Sequence, residues 1–213
     1  MGELDPRSLS VYVLTSSGFV AGRDHRDVAL AAIEGGATAI QLRAPELPDS
    51  RLGPLARELA DRCRDAGVLF VVNDRPDVAA ASGAGAHVGQ DVNLDEARGL
   101  LGPGGVLGVS VDTPAEARAA EAAGADYVGV TVWATPTKPE ALPRGLEGLR
   151  AIVGVTSLPV VGIGGIGIAN AHEALEAGAA GVAVISAVGA APDPVEATRR
   201  LAAAVRTAWM PEV

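Results

Sequence analysis

Lysine is almost missing from this chain. Of its 17 basic residues only Lys138, in "ATPTKPE" (134–140), is a lysine, and the rest are arginines. Aromatic residues are also scarce at 3%, so close packing of Ala, Val, Leu and Gly must supply the core. Cysteine is reduced to Cys63, in the helical-looking "RELADRCRDAG", which excludes an internal disulfide and makes a reducing cytoplasm the expected compartment. Positive charge is in deficit. A net charge of −9 and an isoelectric point near 4.8 argue against nucleic acid or an anionic membrane as partner. A small anionic ligand is still admissible, because a pocket can be locally positive. The first ten residues, "MGELDPRSLS", lack the apolar run of a secretion signal. Residues 151–172 carry no formal charge over a membrane-spanning length, yet Pro159 and five glycines make them a poor continuous helix. Strands of a parallel sheet covered on both faces read the same way, and that is the reading adopted.

What is present is a recurring junction: an Ala-rich helical segment closes at glycine and a short apolar strand follows. It appears in "EGGATAIQLR" (34–43), "SGAGAHVGQ" (82–90), "AGADYVGV" (123–130) and "AGAAGVAVIS" (177–186). Glycine suits the left-handed residue that ends a helix, and β-branched and aliphatic residues suit a buried strand. Further strands are expected at 10–15, 68–73, 106–111 and 158–163, which makes eight. Helix starts are readable at Thr113-Pro114 with Glu116, at Asp193-Pro194 with Glu196, and at Asn93 with Glu96. Eight alternating strand–helix units in 213 residues, with no linker, predict a single (β/α)₈ (TIM) barrel domain over residues 1–213.

In such barrels chemistry sits where strands end. The polar residues at those ends are Gln41 and Arg43, Asn73 and Asp74, Gln90 and Asp91, Ser110, Thr135, Thr137 and Lys138, Gly164 and Gly165, and Ser186. "GIGGIG" (162–167) and "ISAVG" (185–189), after the seventh and eighth strands, form the pattern of a phosphate cradle. Asp74 and Asp91 are hard oxygen donors suited to Mg²⁺ shared with substrate phosphates. Asp74 could instead cap a helix or pair with Arg75, and Asp91 could simply open a turn. Arg43 follows the apolar "AIQL" and needs either an internal acid or a ligand phosphate. His87 reads equally as a core or a functional histidine, whereas His25 and His172 read as helix-surface residues. Lys138 stands several residues beyond its strand between prolines. That suits a mobile ammonium reaching a phosphate better than a desolvated Schiff-base lysine.

Taken together, "AIEGGATAIQLR", "FVVNDRPDVAAASGAGAHVGQD", "ATPTKPE", "LPVVGIGGI" and "GVAVISAV" resemble, in order, the blocks of the thiamine-phosphate synthase family, over nearly the whole chain. The resemblance implies a cytoplasmic transferase that joins a pyrimidine methyl diphosphate to hydroxyethylthiazole phosphate and releases pyrophosphate with Mg²⁺. It also implies site residues. Gln41, Arg43, Asn73, Ser110 and Lys138 would contact the pyrimidine diphosphate, with Arg43, Ser110 and Lys138 acting in catalysis. Asp74 and Asp91 would bind Mg²⁺, and Thr135, Thr137, Gly165, Ile185 and Ser186 would hold the thiazole phosphate. The implied partners are these phosphorylated small molecules, with no nucleic acid and no membrane. A homo-oligomer is compatible with the sequence but not specified by it.

Three features depart from the family pattern. Pro45 occupies a position where the family usually has lysine, "GQDVN" is one residue shorter than usual, and "GVTVWATPTK" lacks the usual Gly-Pro. Two other readings compete. A related thiazole tautomerase would carry a histidine after the sixth strand, and residues 127–138 contain none. A non-catalytic phosphate-binding barrel would bind thiazole phosphate without binding the pyrimidine diphosphate.

Overall fold

The protein's structure, a computed structural model, describes residues 4–89, 91–135 and 141–209. After a 3₁₀ turn at Pro6–Leu9, eight strands alternate with helices. The strands are β1 (Val11–Leu14), β2 (Ala39–Leu42), β3 (Leu69–Asn73), β4 (Gly85–Val88), β5 (Leu107–Ser110), β6 (Tyr127–Thr131), β7 (Val160–Ile163) and β8 (Gly181–Val184). The helices are α1 (His25–Gly35), α2 (Asp49–Ala66), α3 (Pro76–Ser82), α4 (Leu94–Leu101), α5 (Pro114–Ala122), α6 (Gly145–Val153), α7 (Ala171–Glu176), the short α8 (Ser186–Gly189) and α9 (Pro194–Trp209). Every strand pairs in parallel with its sequence neighbours, and β8 closes on β1. The expected TIM barrel is therefore the observed one. The uncharged stretch 151–172 divides into the end of α6, all of β7 and the start of α7. No described helix is long and apolar enough to cross a membrane.

The local chemistry accounts for these elements. Thr113 accepts from the Glu116 amide while the Glu116 carboxylate accepts from the Thr113 amide, which is the reciprocal cap read from the sequence. Asn93 and Asp193 cap α4 and α9 through the amides of Glu96 and Glu196. Asp24 and Asp27 form another reciprocal cap at α1. At the other end of α1, Gly36 takes φ +92°, and its amide bonds back to the helix.

Because the strands are parallel and both their faces are covered, buried side chains divide into two layers. Val11, Val13, Ile40, Leu42, Val72, Val128 and Val130 point outward into the packing between strands and helices. Tyr12, Leu14, Ala39, Val71, Tyr127, Val161 and Ala183 fill the barrel interior. Register sets the interior layers side by side: Tyr12 lies beside Ala39 and Ala183, His87 beside Gly108, and Gly108 beside Tyr127. Two large rings occupy this interior only because glycines face them. A Cβ on Gly108 would lie 2.1 Å from Cζ of Tyr127, and one on Gly129 would lie 3.2 Å from Cε1 of His87.

Gly108→Ala is therefore expected to destabilise the protein by about 1–3 kcal/mol, the usual cost of forcing atoms into a packed core. Denaturant unfolding measures this. In a double-mutant cycle Tyr127→Ala should remove most of the penalty, and additive losses would show that the ring is not what Gly108 accommodates.

Candidate active site

A cavity of about 530 Å³ opens at the end of the barrel where the strands finish. Its lining includes Gln41, Arg43, Asn73, Ser110, Thr135, Gly164, Gly165, Ile185 and Ser186, so these sequence-predicted residues, from six strand ends, do converge. Gln90, Thr137 and Lys138 lie outside the described residues. The interior contributes Tyr12, His87 and Tyr127 to the same cavity.

The β7 and β8 ends are shaped as the sequence suggested. Gly164 and Gly165 adopt φ +85° and +64°. A side chain would also have no room there. A Cβ on Gly164 would stand 2.6 Å from the Trp133 carbonyl oxygen, and one on Gly165 would stand 2.9 Å from the Trp133 Cβ. Ser186 begins α8 directly after β8.

Arg43 is half-buried just past β2, where its amide donates to Thr15 Oγ1 at 3.2 Å. Among the described residues no carboxylate lies within ion-pair distance of its guanidinium. Of the two partners the sequence allowed, the internal acid is not there. Arg43 also lines a second, smaller recess of about 230 Å³ with Ser16, Ser17, Phe19, His25, Pro45, Glu46 and Ile185. Pro45 thus stands beside Arg43, where the family's lysine would add a second cation.

Neither alternative for Asp74 is observed. Arg75 pairs with Asp49 at 2.5 Å and Asp77 at 2.9 Å, and these carboxylates raise its pKa, while α3 has no side-chain cap. Asp74 takes φ +56°, a left-handed conformation that Asp tolerates better than most residues, and its amide donates to the His87 carbonyl at 2.8 Å. Its Oδ2 accepts from Asn73 Nδ2 at 2.6 Å and its Oδ1 from the Gly89 amide at 3.3 Å. Asp91 approaches the same glycine: a Cβ on Gly89 would lie 2.8 Å from Asp91 Oδ1. Both carboxylates are exposed and flank Gly89; neither lines the main cavity, although Asn73, which donates to Asp74, does. Among the described residues no cluster of three or more His, Cys, Asp or Glu could hold a metal alone. Two carboxylates nevertheless match what Mg²⁺ ordinarily takes from a protein, with water and phosphate completing its shell. The donor set fits that ion.

The histidine assignments need one correction. His172 is exposed as expected, but His25 is only 3% exposed rather than on the helix surface. At the start of α1 its Nδ1 meets Thr15 Oγ1 at 2.9 Å and its Nε2 meets Glu46 Oε1 at 2.6 Å, tying the loop after β1 to the loop after β2. A surface pattern could not reveal this, because the partners come from two other loops. Glu46 also accepts from Ser17 Oγ at 2.6 Å. Burial alone would raise the Glu46 pKa, but the hydrogen bonds from Ser17 and His25 outweigh it and bring the value down to about 2. Cys63 is fully buried in α2, and burial pushes its thiol up to about 12, leaving it inert at neutral pH.

Sequence reasoning missed Tyr12 and Tyr127 altogether. Their hydroxyls meet at 2.8 Å; Gln41 Nε2 donates to Tyr12 at 2.7 Å, and His87 bridges Tyr127 (2.9 Å) and Ser110 (3.0 Å). The Gln41 Oε1 atom is buried without a hydrogen-bond partner among the described residues. The two tyrosines lie on strands far apart in sequence, and only the closed barrel shows that they touch.

The fold and mouth define a TIM barrel whose strand ends set a glycine turn and a half-buried arginine around a cavity with a polar interior. Residues 11–188 match the thiamine monophosphate synthase family, and the chain belongs to that family. It is 50% identical over 195 residues to a thiamine-phosphate synthase of Moorella thermoacetica, covering 90% of this chain and 93% of that one. It is 48% identical to a thiamine-phosphate synthase of Natronomonas pharaonis, covering 93% and 96%. A solved thiamine phosphate pyrophosphorylase from Pyrococcus furiosus superposes with a TM-score of 0.88 at 39% identity, covering 95% of this chain and 98% of that chain.

Because the folded-state pKa of Glu46 lies below its ordinary value of 4.5, its contribution to stability is full above pH 4.5 and is lost as pH falls towards 2. Glu46→Gln should therefore be less stable than the wild type at neutral pH, and the gap should close across that acid window. Denaturant unfolding at several pH values measures this, and a gap independent of pH would contradict the linkage.

Proposed function

We propose that this protein is a thiamine-phosphate synthase, joining 4-amino-2-methyl-5-(diphosphooxymethyl)pyrimidine to hydroxyethylthiazole phosphate. The observation that carries the reading is the convergence of Gln41, Arg43, Asn73, Ser110 and the Gly164–Gly165 turn on one cavity. Similarity at about half identity to synthases from two organisms supports it. Arg43, which has no acid partner among the described residues, suits an anionic ligand, and the Asp74 and Asp91 carboxylates suit a cation shared with it.

The chemistry is a substitution at the methylene carbon of the pyrimidine. The reaction is dissociative: the C–O bond to the diphosphate breaks first and its electron pair leaves with pyrophosphate, and the thiazole nitrogen lone pair then captures the pyrimidine-stabilised methylene cation to form the new C–N bond. No proton is transferred in this substitution, so it calls for no general base. Arg43 and Asn73 bind the departing phosphate oxygens, and the family resemblance assigns Lys138 to the same oxygens. Ser110 and Gln41 orient the pyrimidine ring. Gly165, Ile185, Ser186, Thr135 and Thr137 position the thiazole phosphate. Asp74 and Asp91 hold Mg²⁺, which supplies charge neutralisation to the diphosphate when bound. Preorganised positive charge and alignment of two substrates are what such a reaction asks of a protein. The protein works as one domain on soluble small molecules in the cytoplasm.

With both substrates and Mg²⁺, purified protein should yield thiamine phosphate and pyrophosphate, and folded protein that yields neither contradicts the assignment. Lys138→Ala should lower turnover about ten- to a hundredfold, the loss of one charge-assisted contact, while thiazole phosphate binding measured by calorimetry stays nearly constant. Equal loss of both would contradict the role given to Lys138. Pro45→Lys should restore a second cation beside Arg43 and lower the KM for the pyrimidine diphosphate, by up to about tenfold. A KM that does not fall would show that this position lies outside the diphosphate's reach.

A further inference from the structure

Five side chains from five different strands form one continuous hydrogen-bonded chain across the barrel interior. Gln41 (β2) bonds to Tyr12 (β1) at 2.7 Å and Tyr12 to Tyr127 (β6) at 2.8 Å. Tyr127 bonds to His87 (β4) at 2.9 Å, and His87 to Ser110 (β5) at 3.0 Å. All five line the main cavity. The two ends of the chain are the residues assigned above to the pyrimidine ring, while the three in between have no role in that assignment.

The direction of the chain is set by the end of the Gln41 amide that faces Tyr12, with each hydroxyl and each ring nitrogen then used once. An amide nitrogen only donates, so Gln41 Nε2 gives its hydrogen to the Tyr12 oxygen. Tyr12 has one proton left to give, and Tyr127 accepts it. Tyr127 then donates to His87 Nδ1, which must be bare, so the ring proton sits on Nε2 and is donated to Ser110 Oγ. Burial raises the pKa of both tyrosines, so both keep their protons at working pH. The result is opposite polarity at the two ends. Gln41 keeps Oε1, a buried acceptor without a partner among the described residues, and Ser110 keeps its own hydroxyl proton to donate.

We propose that Tyr12, Tyr127 and His87 are positioning residues that lock Gln41 as an acceptor and Ser110 as a donor, and so select an aminopyrimidine over its oxo analogue. This rests on the synthase reading. An exocyclic amino group donates and the ring nitrogens accept, which complements one acceptor and one donor. A pyrimidinone offers a carbonyl oxygen where the amino group was, and that oxygen faces Gln41 Oε1 with no hydrogen between them. A site that leaves buried polar groups unpaired rejects the wrong ligand strongly. With Tyr12 gone, Gln41 has no acceptor for its NH₂ and is free to turn it towards the ligand, which removes the lock.

The test compares kcat/KM for the amino and 4-oxo pyrimidine diphosphates in wild type and Tyr12→Phe, together with the ¹⁵N spectrum of the His87 imidazole in the ligand-free wild type and Tyr127→Phe. The wild type is expected to prefer the amino ring by about a hundredfold or more, and Tyr12→Phe to shrink that ratio at least about tenfold, with the KM for thiazole phosphate unchanged. His87 is expected as the neutral Nε2-protonated tautomer in the wild type, and Tyr127→Phe should release it to a mixture. Loss of activity by the same factor on both rings, or an Nδ1-protonated His87, would overturn the proposal. If the wild type consumes neither ring the synthase reading falls, and the tautomer alone then decides whether the chain runs in this direction.

Discussion

The hydrogen bond between Tyr12 and Tyr127 is the contact on which the interior of this barrel is organised. The rings meet edge to face with centroids 6.1 Å apart, their hydroxyls 2.8 Å apart, in a chain with almost no other aromatic residues to fill space. This geometry demands small residues around it, and Ala39, Ala183 and Gly108 supply them, while Gly129 makes room for the adjoining His87. The rings occupy the lower interior, and the small and polar residues above them leave the space that a ligand can enter. A buried hydroxyl must be satisfied. The pair therefore recruits Gln41 on one side and His87 on the other, and those reach the mouth of the barrel. Packing and polarity are in this sense one problem with one solution.

Electrostatics divides along the same line. The molecule carries an excess of acids, and many of its arginines are spent on them: Arg26 on Glu58, Arg75 on Asp49 and Asp77, Arg98 on Asp126, Arg144 on Asp112. Such pairs at the surface contribute little each. Arg43, between the two recesses at the mouth, has no such partner among the described residues. A positive group held half-buried with no acid partner among the described residues is suited to a ligand's anion, and it sits where the strand ends converge. Net charge describes the whole surface and leaves this local inversion out of view.

Much of the architecture could be read from residues because each unit is specified locally. The caps at Thr113, Asn93 and Asp193 and the glycine that ends α1 each set an element boundary with its own chemistry. Position past a strand end then gathered Gln41, Arg43, Asn73, Ser110, Gly165 and Ser186, since a closed parallel barrel puts all such ends on one rim. What stayed hidden depends on contacts between distant segments. His25 looked like a surface residue because its partners, Thr15 and Glu46, belong to other loops. Tyr12 and Tyr127 are 115 residues apart, and no local pattern joins them. The family resemblance supplied roles that geometry by itself does not assign.

The central claim is that one rim binds both phosphorylated ligands around a ring seated on the tyrosine pair. A crystal structure of the protein with thiamine phosphate, pyrophosphate and Mg²⁺ tests it most directly. The account predicts the pyrimidine between Gln41 and Ser110, the thiazole phosphate at Gly165 and Ser186, and pyrophosphate on Arg43 with the ion between Asp74 and Asp91. Ligand density outside this cavity, or a pyrimidine ring that touches neither Gln41 nor Ser110, would contradict it.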